Sequence, residues 1–361
     1  MTYYLLIFSI LIWSFGQLLN FQVTSLPFTF YPLDIICTLL TLSLLFSAKN
    51  RLAIIRDPLF RPLALFLLVV FISLFINFKS ALAGGLSYPI FYLVRLIIYP
   101  SVYFATKISA NKKILPYLLI SLLVFASIGL LQYLFFPDMR YLKLLGFDDH
   151  YYRLIGSFYD PNFSGAIFAG ASLLFLALGQ WLMALPLVLL LTMTFSRASY
   201  LVFVLGLIYL VFTQKRWTLF IFILFLTGFI ILVPKPFGEG VNLFRTFSVF
   251  SRIDSWQAGT SLFIQRPLFG WGYNTLRLFS GERFQIDNSY LYFAATTGIV
   301  GLLAFFNLLK KIFSYVKPLA LRLFILAILT HSLFNNSLLY IWIYFSFWLV
   351  LGLPLKVYKE S

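Results

Sequence analysis

The 361-residue chain reads as an all-α protein, a polytopic transmembrane helix bundle with a long extracytoplasmic loop that carries a surface helix. Three observations predict this. The chain is 61% apolar and only 11% charged, with a mean hydropathy of +0.95, whereas a soluble domain carries about 25% charged residues. Apolar runs close to the roughly 20 residues that cross a bilayer recur along its length. The bases fall in short clusters between those runs, the spacing that membrane topology produces. Soluble enzymes, disordered chains and disulfide scaffolds are excluded, since the lone Cys37 can form no internal bridge. The net charge of +16 is not a nucleic-acid footprint, because no single domain gathers it.

Taken in order, the apolar runs lie near 3–20, 33–48, 62–78, 88–106, 114–136, 162–178, 180–195, 198–213, 217–233, 287–309, 319–335 and 337–356. They predict about 12 spans, with 10 or 11 as alternatives because the sixth to eighth crowd together. Met1–Tyr4 has no basic leader and no small-residue cleavage site follows Leu19, so the first run is expected to be a retained span. The chain then divides into spans 1–5 (1–136), a first outer loop (137–161), spans 6–9 (162–233), a large outer loop (234–286) and spans 10–12 (287–361).

Charge sets the orientation. With both termini cytoplasmic, the inner segments hold fifteen Lys and Arg against two acids, and the outer segments eleven against nine. That is the positive-inside pattern expected of a multi-pass membrane protein. The outer bases are mostly Arg. Topology needs only charge, whereas planar Arg suits bidentate contact with oxyanions. The outer arginines are therefore candidates for chemistry.

The large loop has a readable interior. Ser251-Arg252-Ile253-Asp254 fits a helix cap with an acid three residues on, and Pro267 stops the helix, which predicts a surface helix of about 14 residues. Arg252 and Trp256, four apart, share one of its faces. Phe269-Gly270-Trp271-Gly272-Tyr273 follows as a tight aromatic turn whose glycines supply the backbone freedom. Asp160-Pro161-Asn162 ends the first outer loop and starts the sixth span, with proline in the first turn. Asp287, with Asn288 as its neighbour, reads as the cap of the tenth.

These pieces together resemble the bacterial O-antigen ligase and O-antigen polymerase family. The resemblance rests on Gly156-Ser157-Phe158-Tyr159-Asp160-Pro161-Asn162 with Gly165, Phe195-Ser196-Arg197-Ala198, Arg252 with Trp256, Pro267-Leu268-Phe269-Gly270-Trp271-Gly272, and Asp287-Asn288-Ser289-Tyr290-Leu291 running to Gly298-Ile299-Val300-Gly301. It covers 156–301; the N-terminal spans match only in hydropathy. It implies a glycosyltransferase that takes a glycan from a polyprenyl diphosphate carrier in the lipid bilayer and passes it to an acceptor hydroxyl, without cofactor or obligatory metal. The acceptor is another lipid-linked repeat unit in a polymerase, and a lipid-core sugar or a protein in a ligase or protein O-oligosaccharyltransferase. A transporter or flippase of lipid-linked glycans is the reading from another class. It is disfavoured because the charges crowd the outer surface rather than the midplane, and no internal repeat is evident.

The resemblance implies catalytic roles for Arg197 and Arg252 on the leaving diphosphate. The alternative is that Arg197 snorkels to headgroups and Arg252 is a solvated first-turn residue. Family ligases carry His where this chain has Asp287; a carboxylate can also act as general base, and the departure tilts the reading toward a polymerase. Asp160, Asn162 and Asn288 are candidate substrate contacts, and Trp256 a candidate sugar platform or belt residue. Arg95, about 10 Å below the outer boundary by helical rise, reads equally as a substrate-binding residue or as the ion-pair partner of Asp34. Asp148, Asp149 and His150 imitate a metal cluster, but adjacent carboxylates diverge and no metal is expected.

Overall fold

The computed structural model describes residues 1–22, 28–78, 87–110, 113–215, 217, 221, 228, 236, 238–277 and 286–355. About three quarters of it is helix, and β1 (Phe21–Gln22) and β2 (Thr29–Phe30) form a minimal antiparallel pair. The expected ninth span, 217–233, lies almost wholly outside the described residues.

Helices α1 (Thr2–Trp13) and α2 (Pro32–Leu45) open the bundle, and their apolar faces meet around Leu6, Ile10, Leu33, Cys37 and Leu40. Pro32 occupies the first turn of α2, where its missing N–H costs nothing. Asp34 closes that end by accepting from the Tyr31 backbone N–H at 3.0 Å. The short α3 (Ala48–Arg56) departs from α2 at 96° and buries none of its residues. Then come α4 (Phe60–Ile76), α5 (Ser87–Ile98), α6 (Ser101–Ile108) and α7 (Leu115–Phe135). The crowded stretch resolves into three separate helices, α8 (Pro161–Ala177), α9 (Trp181–Met193) and α10 (Arg197–Gln214). The surface helix α11 (Phe247–Gln265) and α12 (Ser289–Tyr315), α13 (Leu319–His331) and α14 (Ile341–Leu351) complete the bundle.

Four helical stretches among the described residues are long and apolar enough to cross a bilayer: Ser87–Ile108, Leu115–Phe135, Arg197–Gln214 and Ser289–Tyr315, with α2 and α3 a fifth if the bent pair counts as one. Six shorter apolar helices of 10–17 residues accompany them. The chain is thus an all-α membrane protein, and the helix lengths by themselves support fewer spans than the twelve that hydropathy suggests.

Helix α8 is the core element, buried along almost its whole length by α9, α10 and α13. Small residues at Gly165, Ala169 and Gly170 let its neighbours approach closely, the usual device where lipid removes the hydrophobic driving force between helices.

One arrangement ties the large loop to the bundle. Gly298 breaks α12 at φ +67°, so Ile299 and Val300 cannot donate four residues back. They donate instead to the Pro267 and Leu268 carbonyls at 2.8 and 3.3 Å. The acceptors thereby released, Ala295 and Thr296, take the N–H groups of Trp271 and Gly272 at 3.0 and 2.9 Å. The loop segment replaces the missing helical bonds one for one, so the four backbone groups freed at the break, Ile299 N, Val300 N, Ala295 O and Thr296 O, all find partners. A side chain at 298 would put its Cβ 2.2 Å from the Leu268 carbonyl oxygen. From α4, Ser73 Oγ completes the seam by donating to the carbonyls of Phe269 and Thr296 at 2.6 and 2.8 Å.

Candidate active site

The site is organised around the elbow joining α9 to α10. Phe195 adopts a left-handed φ of +49°, an uncommon conformation for a residue with a side chain. Ser196 then caps α10 by accepting from Ser199 N at 3.4 Å and donates its own hydroxyl to Asn162 Oδ1 at 3.0 Å. Asn162 therefore joins the start of α8 to the start of α10. Arg153 and Arg245 brace the strained turn: Arg153 Nε donates to the Thr194 carbonyl at 2.9 Å, and both guanidiniums reach that of Phe195 at 3.4 and 3.3 Å.

Arg197 is the first residue of α10, and it does not snorkel away from the protein. It donates to the Leu243 and Arg245 carbonyls at 3.2 and 2.8 Å and to Ser248 Oγ at 2.6 Å. These contacts correct the expected surface helix. It begins at Phe247 and runs for 19 residues, not for about 14 from Ser251, because a distant arginine anchors the segment leading into it where a local cap was expected. Arg252 consequently lies in the second turn, not the first. It is half-buried: Nε donates to the Phe334 carbonyl at 2.9 Å, with longer contacts of 3.5 Å to the Ser248 carbonyl and Asn335 Oδ1.

Trp256, one turn beyond Arg252, donates from its indole to the Asp287 carbonyl at 3.1 Å, and Asp287 N donates to Ser255 Oγ at 2.8 Å. The surface helix thus fixes the Asp287 backbone at two points. An open space of about 550 Å³ lies along one face of the same helix, beside Ile253, Trp256, Gln257 and Thr260. The expected cap at Asp287 is corrected too. Asn288 caps α12, its Oδ1 accepting from Tyr290 N and Leu291 N at 2.9 and 3.0 Å. The next residue out lacks the geometry to reach those N–H groups, so the Asp287 carboxyl is left for other work. Burial raises its pKa while Arg252 opposes the shift.

Asp160 does cap its helix, accepting from Asn162 N and Phe163 N at 2.6 and 3.3 Å. Burial, with Asp148 adding to it, pushes its pKa up to about 6 against those hydrogen bonds and the charge of Arg153. Arg252 feels Asp287, Arg197 and Asp160 together. Residues from four separate parts of the chain thus share one electrostatic neighbourhood.

No carboxylate pairs with Arg153, Arg197 or Arg252: the ion pairs among the described residues are Arg95–Asp34, Lys107–Asp57 and Arg140–Asp138. These three guanidiniums are instead held by carbonyls, one hydroxyl and one side-chain amide, so their charge is oriented but not neutralised. Such an arrangement can bind a polyvalent anion. Arg95 is committed elsewhere. It grips both Asp34 oxygens at 2.8 and 2.6 Å and the Thr29 carbonyl at 2.7 Å, while Tyr99 donates to the same carboxylate. Among the described residues no three His, Cys, Asp or Glu side chains converge as a metal site.

The sequence reading missed Arg153, Arg245, Ser248 and the Phe334–Asn335 turn. The excess of arginine in the outer segments was the one signal for the first two; the others carry none.

Residues 182–306 match the family model described as O-antigen ligase. No curated protein matches the chain. The matched stretch carries Arg197, Arg252, Trp256, Asp287 and the Gly298 break, and over it this membrane protein is similar to the O-antigen ligase family.

Proposed function

We propose that this protein is an inverting glycosyltransferase of the outer face of the bacterial inner membrane, which moves a glycan from a polyprenyl diphosphate carrier to an acceptor sugar hydroxyl. The observation that carries this reading is the set of guanidiniums at the elbow, oriented by neutral groups and without a carboxylate ion-pair partner among the described residues. Breaking the sugar–diphosphate bond leaves negative charge on the diphosphate. Fixed cations aimed at that charge stabilise the transition state without reorganising. The acceptor hydroxyl oxygen attacks the anomeric carbon from the opposite side, its proton passes to a carboxylate, and polyprenyl diphosphate departs between the arginines.

Asp287 is the base this reading favours. Its backbone is fixed by Ser255 and Trp256, and its carboxyl lies within reach of the Arg252 charge. Burial brings its proton affinity closer to the operating pH, which favours proton transfer. Asp160 and Asn162 would border the donor, and the open helix face beside Trp256 offers an aromatic ring and amide and hydroxyl groups to sugar rings. Asp rather than His before Asn288 favours polymerisation of lipid-linked repeat units over ligation to a lipid core.

The test uses the purified protein, a lipid-linked repeat unit and gel analysis. A ladder of lipid-linked products supports a polymerase; transfer only to an added lipid-core acceptor supports a ligase. Absence of both with an authentic substrate would remove the reading.

A further inference from the structure

Arg153 lies outside the residues that the sequence singles out, yet it is the most deeply buried cation of the cluster, at 6% exposure. Its Nε and Nη2 are held by the Thr194 and Phe195 carbonyls. Its Nη1 has no partner among the described residues, and no carboxylate pairs with it. Burial and the charge of Arg245 lower its proton affinity to about 9, with Arg252 adding to the effect and Asp160 opposing it. A cation this buried is costly unless an anion meets it. The nearby His150 carries a buried nitrogen, Nε2, that is also unsatisfied among the described residues. It is 8% exposed, and burial with Arg153 and Arg245 holds its imidazole neutral.

We infer that Arg153 is a third anion-binding arm, whose free Nη1 takes an oxygen of the diphosphate held by Arg197 and Arg252, and that it makes the site selective for a diphosphate over a monophosphate. The inference rests on the donor chemistry proposed above. The geometry supports it because the elbow couples the arms. Arg153 grips the carbonyls of residues 194 and 195, Arg197 follows two residues later, and Arg252 lies within range of both charges. Two arms can balance one phosphate group; a third suits the additional charge and oxygens of a second. The competing role is a strut that merely holds Phe195 in its left-handed conformation.

Farnesyl diphosphate and farnesyl monophosphate, short lipids with the two headgroups, are the probes. Each is titrated calorimetrically into the full chain in lipid nanodiscs. The wild type is expected to prefer the diphosphate. Arg153→Gln should weaken diphosphate binding by roughly tenfold, the loss of one charge-assisted hydrogen bond, and leave monophosphate binding little changed, with any fall in melting temperature reporting the lost brace on the elbow. Arg153→Lys, which keeps the charge but not the forked geometry, should show a smaller fall in the same preference, and it decides the matter if the Gln variant does not fold. An unchanged preference in the variants overturns the inference, as does equal weakening of both probes together with a lower melting temperature. If Arg197→Lys abolishes binding while the Arg153 variants keep the preference, this inference alone fails; if the wild type shows no preference for the diphosphate, the donor chemistry fails with it.

Discussion

Arg197 and Arg252 meet at Ser248: the hydroxyl accepts from Arg197 at 2.6 Å, and the carbonyl of the same residue accepts from Arg252 at 3.5 Å. One serine at the start of the surface helix thus couples an arginine at a helix N-terminus to one 55 positions later. The two guanidiniums are a unit, and moving the surface helix would move both.

Substitution of either arginine by lysine is expected to reduce product formation by about 10²-fold, the magnitude for losing one oriented donor to a developing anion, while the protein still inserts in the membrane. The glycan length distribution made by each variant is the measurement. A normal distribution in both would exclude a catalytic role for the pair.

Ser248→Ala removes the hydroxyl but not the carbonyl. It should impair Arg197 and spare Arg252, giving a smaller defect than Arg197→Lys, and a double variant should be no worse than Arg197→Lys alone. That non-additivity is the signature of one coupled unit.

Asp160→Asn keeps a competent helix cap but removes a carboxyl with a pKa near 6. In the wild type the carboxylate form is lost as pH falls through about 6. If donor alignment uses that form, kcat/KM should fall there, and this limb should flatten in the variant. Stability has the opposite sign. The folded state holds this proton more tightly than the unfolded chain, so the contribution is full below the ordinary carboxylate range and lost as pH rises through about 6. Melting curves from pH 4 to 8 should depend less on pH in Asp160→Asn than in the wild type.

Gly298→Ala tests the loop-for-helix exchange. The position needs a positive φ, and the new Cβ would lie 2.2 Å from the Leu268 oxygen. Gly179 also has a positive φ, at +73°, with nothing within 4 Å of an added Cβ. Gly179→Ala should therefore cost only about 1 kcal/mol of backbone strain, and Gly298→Ala clearly more. Denaturation in detergent compares them; equal losses would contradict the account of the break.

Asp34→Asn leaves Arg95 buried without its partner and should destabilise by about 3–5 kcal/mol. The loss should appear in the melting temperature, with no selective effect on diphosphate over monophosphate binding.

Much of this molecule was legible in its sequence. The helix start at Asp160-Pro161 follows from local capping chemistry, which a short window of residues contains. The starts of the surface helix and of α12 were misread for complementary reasons. Arg197 anchors the first from outside its window, and in the second two adjacent polar residues compete for one capping position that only backbone geometry can assign. The two readings left open for Arg95 differ solely in what faces it, and the structure puts Asp34 there.

By itself the sequence determined that the chain is a helical membrane protein and that its outer segments are rich in arginine, because hydropathy, charge balance and caps are properties of neighbouring residues. Tertiary structure decided which of those side chains share a site. Arg153, Asp160, Arg197, Arg252 and Asp287 meet only because α8, α10 and the surface helix converge around one strained elbow, and buried charges take their partners from packing, not from their place in the chain.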